Sequence, residues 1–162
     1  MTEERYLVQA QEIATMPGLS KTHFLNPNAK RVNKSLGDLT GLTGIGVHII
    51  EVEPGRETTE FHRHHHEDEA VFVLSGEATA RIGDARHAIG PGDFIGYRAG
   101  GEAHSIKNTG VQPLRLLVVG QRLAHDVGDY PDQGKRLFRA PGLAWQLVDD
   151  AAIQPIQAGA KR

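Results

Sequence analysis

Cysteine is absent from the 162 residues, which excludes thiolate nucleophiles, thiolate metal sites and disulfide bridges. Any metal must therefore be held by nitrogen and oxygen. Charge of one sign is lacking too, since eighteen basic residues against twenty acidic ones give a formal net charge of -2. No large field exists to gather a polyanion or an anionic membrane, so nucleic acid and lipid surfaces are poor partners. Long apolar runs are also missing. The opening Met1-Thr2-Glu3-Glu4-Arg5 has neither the basic start nor the hydrophobic stretch of a secretory signal, and no segment reaches the length that spans a bilayer. A cytoplasmic protein acting on a small molecule is the expectation.

Glycine and histidine are plentiful. Nineteen glycines and eight prolines punctuate the chain, and nine histidines concentrate near its middle. The length suits one domain able to bury its own core. Between residues 46 and 120 the text breaks into short Val- and Ile-rich runs that alternate with polar residues, the period of half-buried strands. They are predicted at Gly46 to Val52, Thr58 to His64, Glu69 to Leu74, Ala78 to Ile82, Arg86 to Ile89, Phe94 to Tyr97, His104 to Asn108 and Leu114 to Gly120. Turn chemistry separates them, and Gly83-Asp84 is suited to a two-residue hairpin. Eight such strands predict an all-β jelly-roll barrel, or double-stranded β-helix, over residues 44–121. Residues 1–43 are expected to form an N-terminal arm that packs on or pairs with the barrel, with turns at Met16-Pro17-Gly18 and Asn26-Pro27-Asn28. Residues 122–162 are expected to form a short C-terminal extension that frays from about Gln154.

The segment Phe61-His62-Arg63-His64-His65-His66-Glu67-Asp68-Glu69 carries the chemistry. Residues two apart on a strand share a face and lie roughly 6 to 7 Å apart, so His62 and His64 can converge on one ion. Arg63 and His65 then face the other way. A reversal through His65 to Asp68 returns Glu69 on the next strand, in parity with the apolar Val71 and Val73. His104 opens a later strand after Gly100-Gly101 and completes a set of three imidazoles and one carboxylate. His65 and His66 fall in the turn and are expected at the surface, although His66 keeps parity with His64. His23, His48, His87 and His125 have no partner spacing and are taken as ordinary histidines. Arg98, Lys107 and Arg115 are candidates for an anion at the barrel mouth.

The chain resembles the cupin superfamily in two ordered motifs. Gly55, His62, His64, Glu69 and Gly76 match the first, with one extra residue after Gly55. Gly101, His104 and Asn108 match the second, but Ala99 stands where proline is usual, and Asp93 stands where glycine is usual, Gly92 lying one residue upstream. The resemblance implies a barrel holding one divalent transition metal, Zn, Fe, Mn, Ni, Co or Cu, through His62, His64, Glu69 and His104. It also implies a homodimer paired through an edge strand. Such a site leaves room for a substrate, and three functions are consistent with it. The first is metal-assisted proton transfer of the sugar-phosphate isomerase kind, with Glu69 or His66 as the catalytic base. The second is a metal-dependent dioxygenase. The third is a non-catalytic barrel that binds a small ligand.

Overall fold

Runs in which every second residue is apolar become antiparallel strands whose alternate side chains meet in one interior. The computed structural model describes residues 5–157 and 159. Met1 to Glu4, read above against a secretory signal, and most of the tail beyond Gln157 lie outside these residues. The chain opens with α1 (Ala10–Thr15), β1 (Leu19–His23), β2 (Asn26–Ser35) and α2 (Leu36–Leu39). The central segment supplies β3 (Ile45–Val52), β4 (Arg63–His64), β5 (Glu69–Ser75), β6 (Ala78–Ile82) and β7 (Ala85–Ile89). Next come β8 (Phe94–Tyr97), β9 (His104–Asn108) and β10 (Leu114–Gln121). Three more strands follow, β11 (Asp126–Tyr130), β12 (Lys135–Arg139) and β13 (Gln146–Asp149). No described helix is long and apolar enough to cross a membrane.

These strands make three antiparallel sheets, ordered β1-β2-β3-β10-β5-β8, β13-β12-β11-β4 and β7-β6-β9. The Gly83-Asp84 turn joins β6 to β7 with Ile82 paired to Ala85. Inward parity on β3, β5 and β10 brings Val52, Val73, Leu114 and Leu116 together at 0% exposure. Burying each such side chain contributes about 1.5 to 3 kcal/mol relative to leaving it in water. The core fills one end of the barrel. Toward the other end the same inward rows become chemical: Val73 and Val71 give way to Glu69, and Asn108 and Ile106 give way to His104.

Two sequence expectations change. The run Thr58 to His64 is not one strand: Thr58 and His62 hydrogen-bond along β9 to Ile106 and His104, whereas Arg63 and His64 pair with β11. The segment switches partners at His62, so no continuous ladder forms. The hairpin between β1 and β2 turns at Phe24 and Leu25, and Asn26 already belongs to β2, where its Oδ1 accepts the Asn28 and Ala29 amides. Both flanks contribute strands. β2 pairs with β3 and extends the largest sheet, and β11 pairs with β4, so both ends of the chain help wall the histidine end.

Candidate metal centre

His62, His64 and His104 come from two segments that meet backbone to backbone. The His62 amide donates to the His104 carbonyl at 3.1 Å, and the His104 amide donates back at 2.7 Å. The rings of His62 and His104 lie 4.7 Å apart, and those of His62 and His64 lie 4.9 Å apart. His104 is further clamped by Tyr97, whose ring stacks on it at 3.5 Å.

The hydrogen bonds decide which nitrogen of each imidazole is free. His62 Nδ1 lies 2.9 Å from the Glu60 carbonyl oxygen, and His104 Nδ1 lies 3.3 Å from that of Glu102. A carbonyl can only accept, so each Nδ1 carries the proton and each Nε2 keeps its lone pair. His64 Nδ1 lies 2.5 Å from Asp126 Oδ2, a carboxylate, with the same consequence. His62 Nε2 and His64 Nε2 then face each other at 3.2 Å. At that separation either a proton carried by the raised His64 or a metal ion between the two nitrogens satisfies them. Two ligands at about 2.1 Å from one ion, bound at right angles, stand about 3 Å apart. His104 Nε2 is buried and makes no hydrogen bond among the described residues. Glu69 Oε1 lies 3.8 Å from it. A buried nitrogen without a partner, two facing imidazole nitrogens and a carboxylate are donors of the types that transition metals take.

Burial first, then the neighbouring rings of His104 and His64, hold His62 well below the usual histidine range. Burial lowers His104 to about 4. Burial also pulls His64 down, but the hydrogen bond and charge of Asp126, with Glu69 and Glu67 behind, outweigh it and leave His64 raised. Glu69 is raised, chiefly by burial, against the opposing pull of His64 and Arg31.

A second group shares His64. His64, Glu67 and Asp126 offer ligand atoms within 4.8 Å of one another and could hold an ion on the Nδ1 side of the ring. Protein donors already occupy part of that group. Glu67 Oε1 accepts from Arg139 and from the Leu123 amide at 2.6 Å, and Asp126 Oδ1 accepts the His66 amide at 3.1 Å.

The histidines open into a cavity of about 430 Å³ lined also by Glu69, Tyr97 and Tyr130. Other sequence candidates lie elsewhere. His66 is exposed and does not line the cavity, contributing only its amide to Asp126, because the chain turns after His64 and strand parity ends there. Arg63 and His65 point outward together and bond Asp129 Oδ2 at 2.8 Å. Arg98 and Lys107 are exposed, Arg115 pairs with Glu51, and none of the three lines this cavity. His87 and His125 are exposed, but His23 and His48, set aside as ordinary, line the cavity with Lys21, Arg31 and Arg122. Sequence reasoning missed these cations and Asp126. No local spacing announces them, since they reach the site only through the β1-β2-β3 and β11-β4 pairings.

The family profile described as "Cupin domain" matches residues 48–120. A proposed sugar phosphate isomerase of Acidithiobacillus ferrooxidans ATCC 23270 is 53% identical, with 94% of this chain and 97% of that one covered and a TM-score of 0.91. A sugar phosphate isomerase from a cupin superfamily, of Silicibacter pomeroyi DSS-3, is 26% identical over 87% of this chain and 91% of that one, with a TM-score of 0.76. A cupin 2 conserved barrel domain protein of Salinispora arenicola CNS-205 is 21% identical over 58% and 77% of the two chains at a TM-score of 0.50, a likeness of fold alone. No curated protein gives a match.

Proposed function

Because this chain belongs to the cupin superfamily, we propose that it is a metal-dependent isomerase of a small phosphorylated sugar, with the ion held by His62, His64, Glu69 and His104. The observation that carries this reading is the arrangement of the three imidazoles: every Nδ1 is tethered to an oxygen, and every Nε2 is left for the cavity. Imidazoles whose outer nitrogen is tethered to a carbonyl or a carboxylate are the usual form of metal-ligating histidine. A divalent metal bound there supplies Lewis-acid polarisation of a sugar carbonyl.

The protein's own groups do the rest. Glu69 accepts no hydrogen bond among the described residues, so a carboxylate oxygen that the ion does not engage would be free to take a proton from the carbon beside the carbonyl. Return of that proton to the former carbonyl carbon, with the adjacent hydroxyl proton passing to the former carbonyl oxygen, interconverts aldose and ketose with no net change of oxidation state. Tyr97 OH is buried without a hydrogen-bond partner among the described residues, and a substrate hydroxyl would satisfy it. Phe24 and Tyr130 meet edge to face at 5.8 Å, and Tyr130 stacks beside His62 at 6.1 Å.

Proton NMR of aldose and ketose phosphates in deuterated water tests the proposal. Isomerisation with solvent deuterium entering the carbon beside the carbonyl is expected, abolished in Glu69→Gln. Oxygen uptake with an iron-loaded chain and no isomerisation would support the dioxygenase alternative instead. Sugar binding without turnover would support the non-catalytic barrel.

A further inference from the structure

The cavity has a second chemical region, carried by the N-terminal hairpin. Antiparallel register sets Lys21 directly across from Arg31, and both line the cavity. The same parity on β2 brings in Ala29 and Asn33. Directly opposed residues hold their side chains about 5 Å apart, and like charges in that relation destabilise the pair. Neighbouring cations have acidic partners: Lys34 and Arg115 reach Glu51, and Arg122 reaches Asp38 at 2.6 Å. Lys21 and Arg31 form no ion pair among the described residues.

Arg31 is the more demanding of the two. Its guanidinium is part-buried, one Nη1 donates to the Thr58 carbonyl, and its buried Nε has no hydrogen-bond acceptor among the described residues. A buried charge with unused donors is costly unless an anion meets it. Burial pushes its pKa down and the charge of Glu69 opposes this, which places Arg31 within electrostatic reach of that carboxylate. His48 adds a neutral donor. Its Nδ1 lies 3.2 Å from Asn33 Nδ2, an amide nitrogen that can only donate, so the proton sits on Nε2. That Nε2 lies over Gly46, where an added Cβ would stand 2.8 Å from it.

We propose that Lys21, Arg31 and His48 form an oxyanion subsite that receives the phosphoryl group of the substrate while its carbonyl end reaches the histidines. The assignment rests on the phosphorylated-sugar reading above and gives it a place in the cavity. Two cations and a neutral donor match a dianionic phosphate monoester better than a singly charged sugar carboxylate.

Calorimetric titration of inorganic phosphate into the full chain, as purified and after EDTA treatment, tests the subsite, with metal content measured on the same samples. Arg31→Gln should weaken phosphate binding about tenfold or more, and Lys21→Gln about threefold. His104→Ala and EDTA should each leave it within about twofold, and acetate should bind about tenfold more weakly than phosphate. Absence of phosphate binding, unchanged binding in both cation variants, or loss of binding with EDTA would overturn the subsite. Acetate binding as tight as phosphate would overturn the phosphoryl assignment. Should thermal melting show Arg31→Gln unfolded, the exposed Lys21→Gln decides alone. Arg31-dependent phosphate binding in a chain that holds no metal as purified and takes up none when divalent metal is added would sink the metal reading only, whereas a metal-loaded chain indifferent to Arg31 would sink the subsite only.

Discussion

His64 Nδ1 lies 2.5 Å from Asp126 Oδ2, a contact between residues 62 positions apart that ties the barrel to the first strand of the C-terminal segment. Asp126 is 5% exposed and also accepts the His66 amide, so its position is set before any ion binds. The contact fixes the ring's tautomer and turns Nε2 toward His62.

Asp126→Ala should therefore weaken metal binding about 10- to 100-fold, as removal of such outer partners does elsewhere. Glu67→Gln should have a far smaller effect, because Glu67 already bonds Arg139 and the Leu123 amide. Competition with a chromophoric chelator measures both. The opposite pattern, with Glu67→Gln stripping the metal and His62→Ala retaining it, would move the ion to the His64, Glu67 and Asp126 group.

His62→Ala and His104→Ala should each abolish stoichiometric metal in untagged protein, and His66→Ala should not. Elemental analysis reads the outcome. Metal retained in His104→Ala would remove that residue from the ligand set.

Protons compete with the ion for each Nε2, so metal affinity should fall as pH drops below about 6.5. Burial keeps His62 and His104 neutral, whereas His64, raised by the hydrogen bond and charge of Asp126, holds its proton longest and must give it up to bind. A chelator titration that is flat from pH 8 to pH 5 would count against histidine ligation.

The folded chain itself should lose stability in mild acid. Burial first, then the charge of Arg31, lower His23 from 6.5 to about 4. The unfolded chain takes up that proton near 6.5 and the folded chain only near 4, so this stabilisation is complete above pH 6.5 and lost as pH falls to about 4. Thermal melts of EDTA-treated protein between pH 7.5 and 4.5 should show a decline that is shallower in His23→Asn. An identical decline in the variant would refute the assignment.

Two motif residues should be structural. Gly76 has φ of +88°, and a Cβ there would stand 2.8 Å from Leu114 Cα, so Gly76→Ala should cost about 1 to 3 kcal/mol. Asn108, fully buried, donates to the Val52 and Gln112 carbonyls at 2.8 and 2.9 Å and accepts the Gly110 amide at 3.0 Å. Asn108→Ala strands those groups and should cost about 2 kcal/mol or more. Urea denaturation measures both, and metal content should change in neither.

Much of the wall of the site was legible in the chain, because alternation is local. Glu69, Val71 and Val73 share a face by period two, and the structure turns that face inward. The rule stops at His66, since parity with His64 holds only while the strand continues, and the chain turns there and leaves His66 at the surface. It was silent on Asp126, Lys21 and Arg31, which carry no distinctive spacing relative to the histidines. His23 and His48 looked ordinary for the same reason.

Sequence by itself determined the all-β class, the strands of the barrel core and the imidazoles and carboxylate with ligand chemistry, because side-chain alternation and motif spacing are short-range properties. Only the tertiary structure decided which nitrogen each imidazole offers, that β11 supplies the carboxylate behind His64, and that the N-terminal hairpin sets two cations in the cavity wall. Those depend on register between strands far apart in the chain, and register is settled by the joint burial of whole faces, not by any one segment.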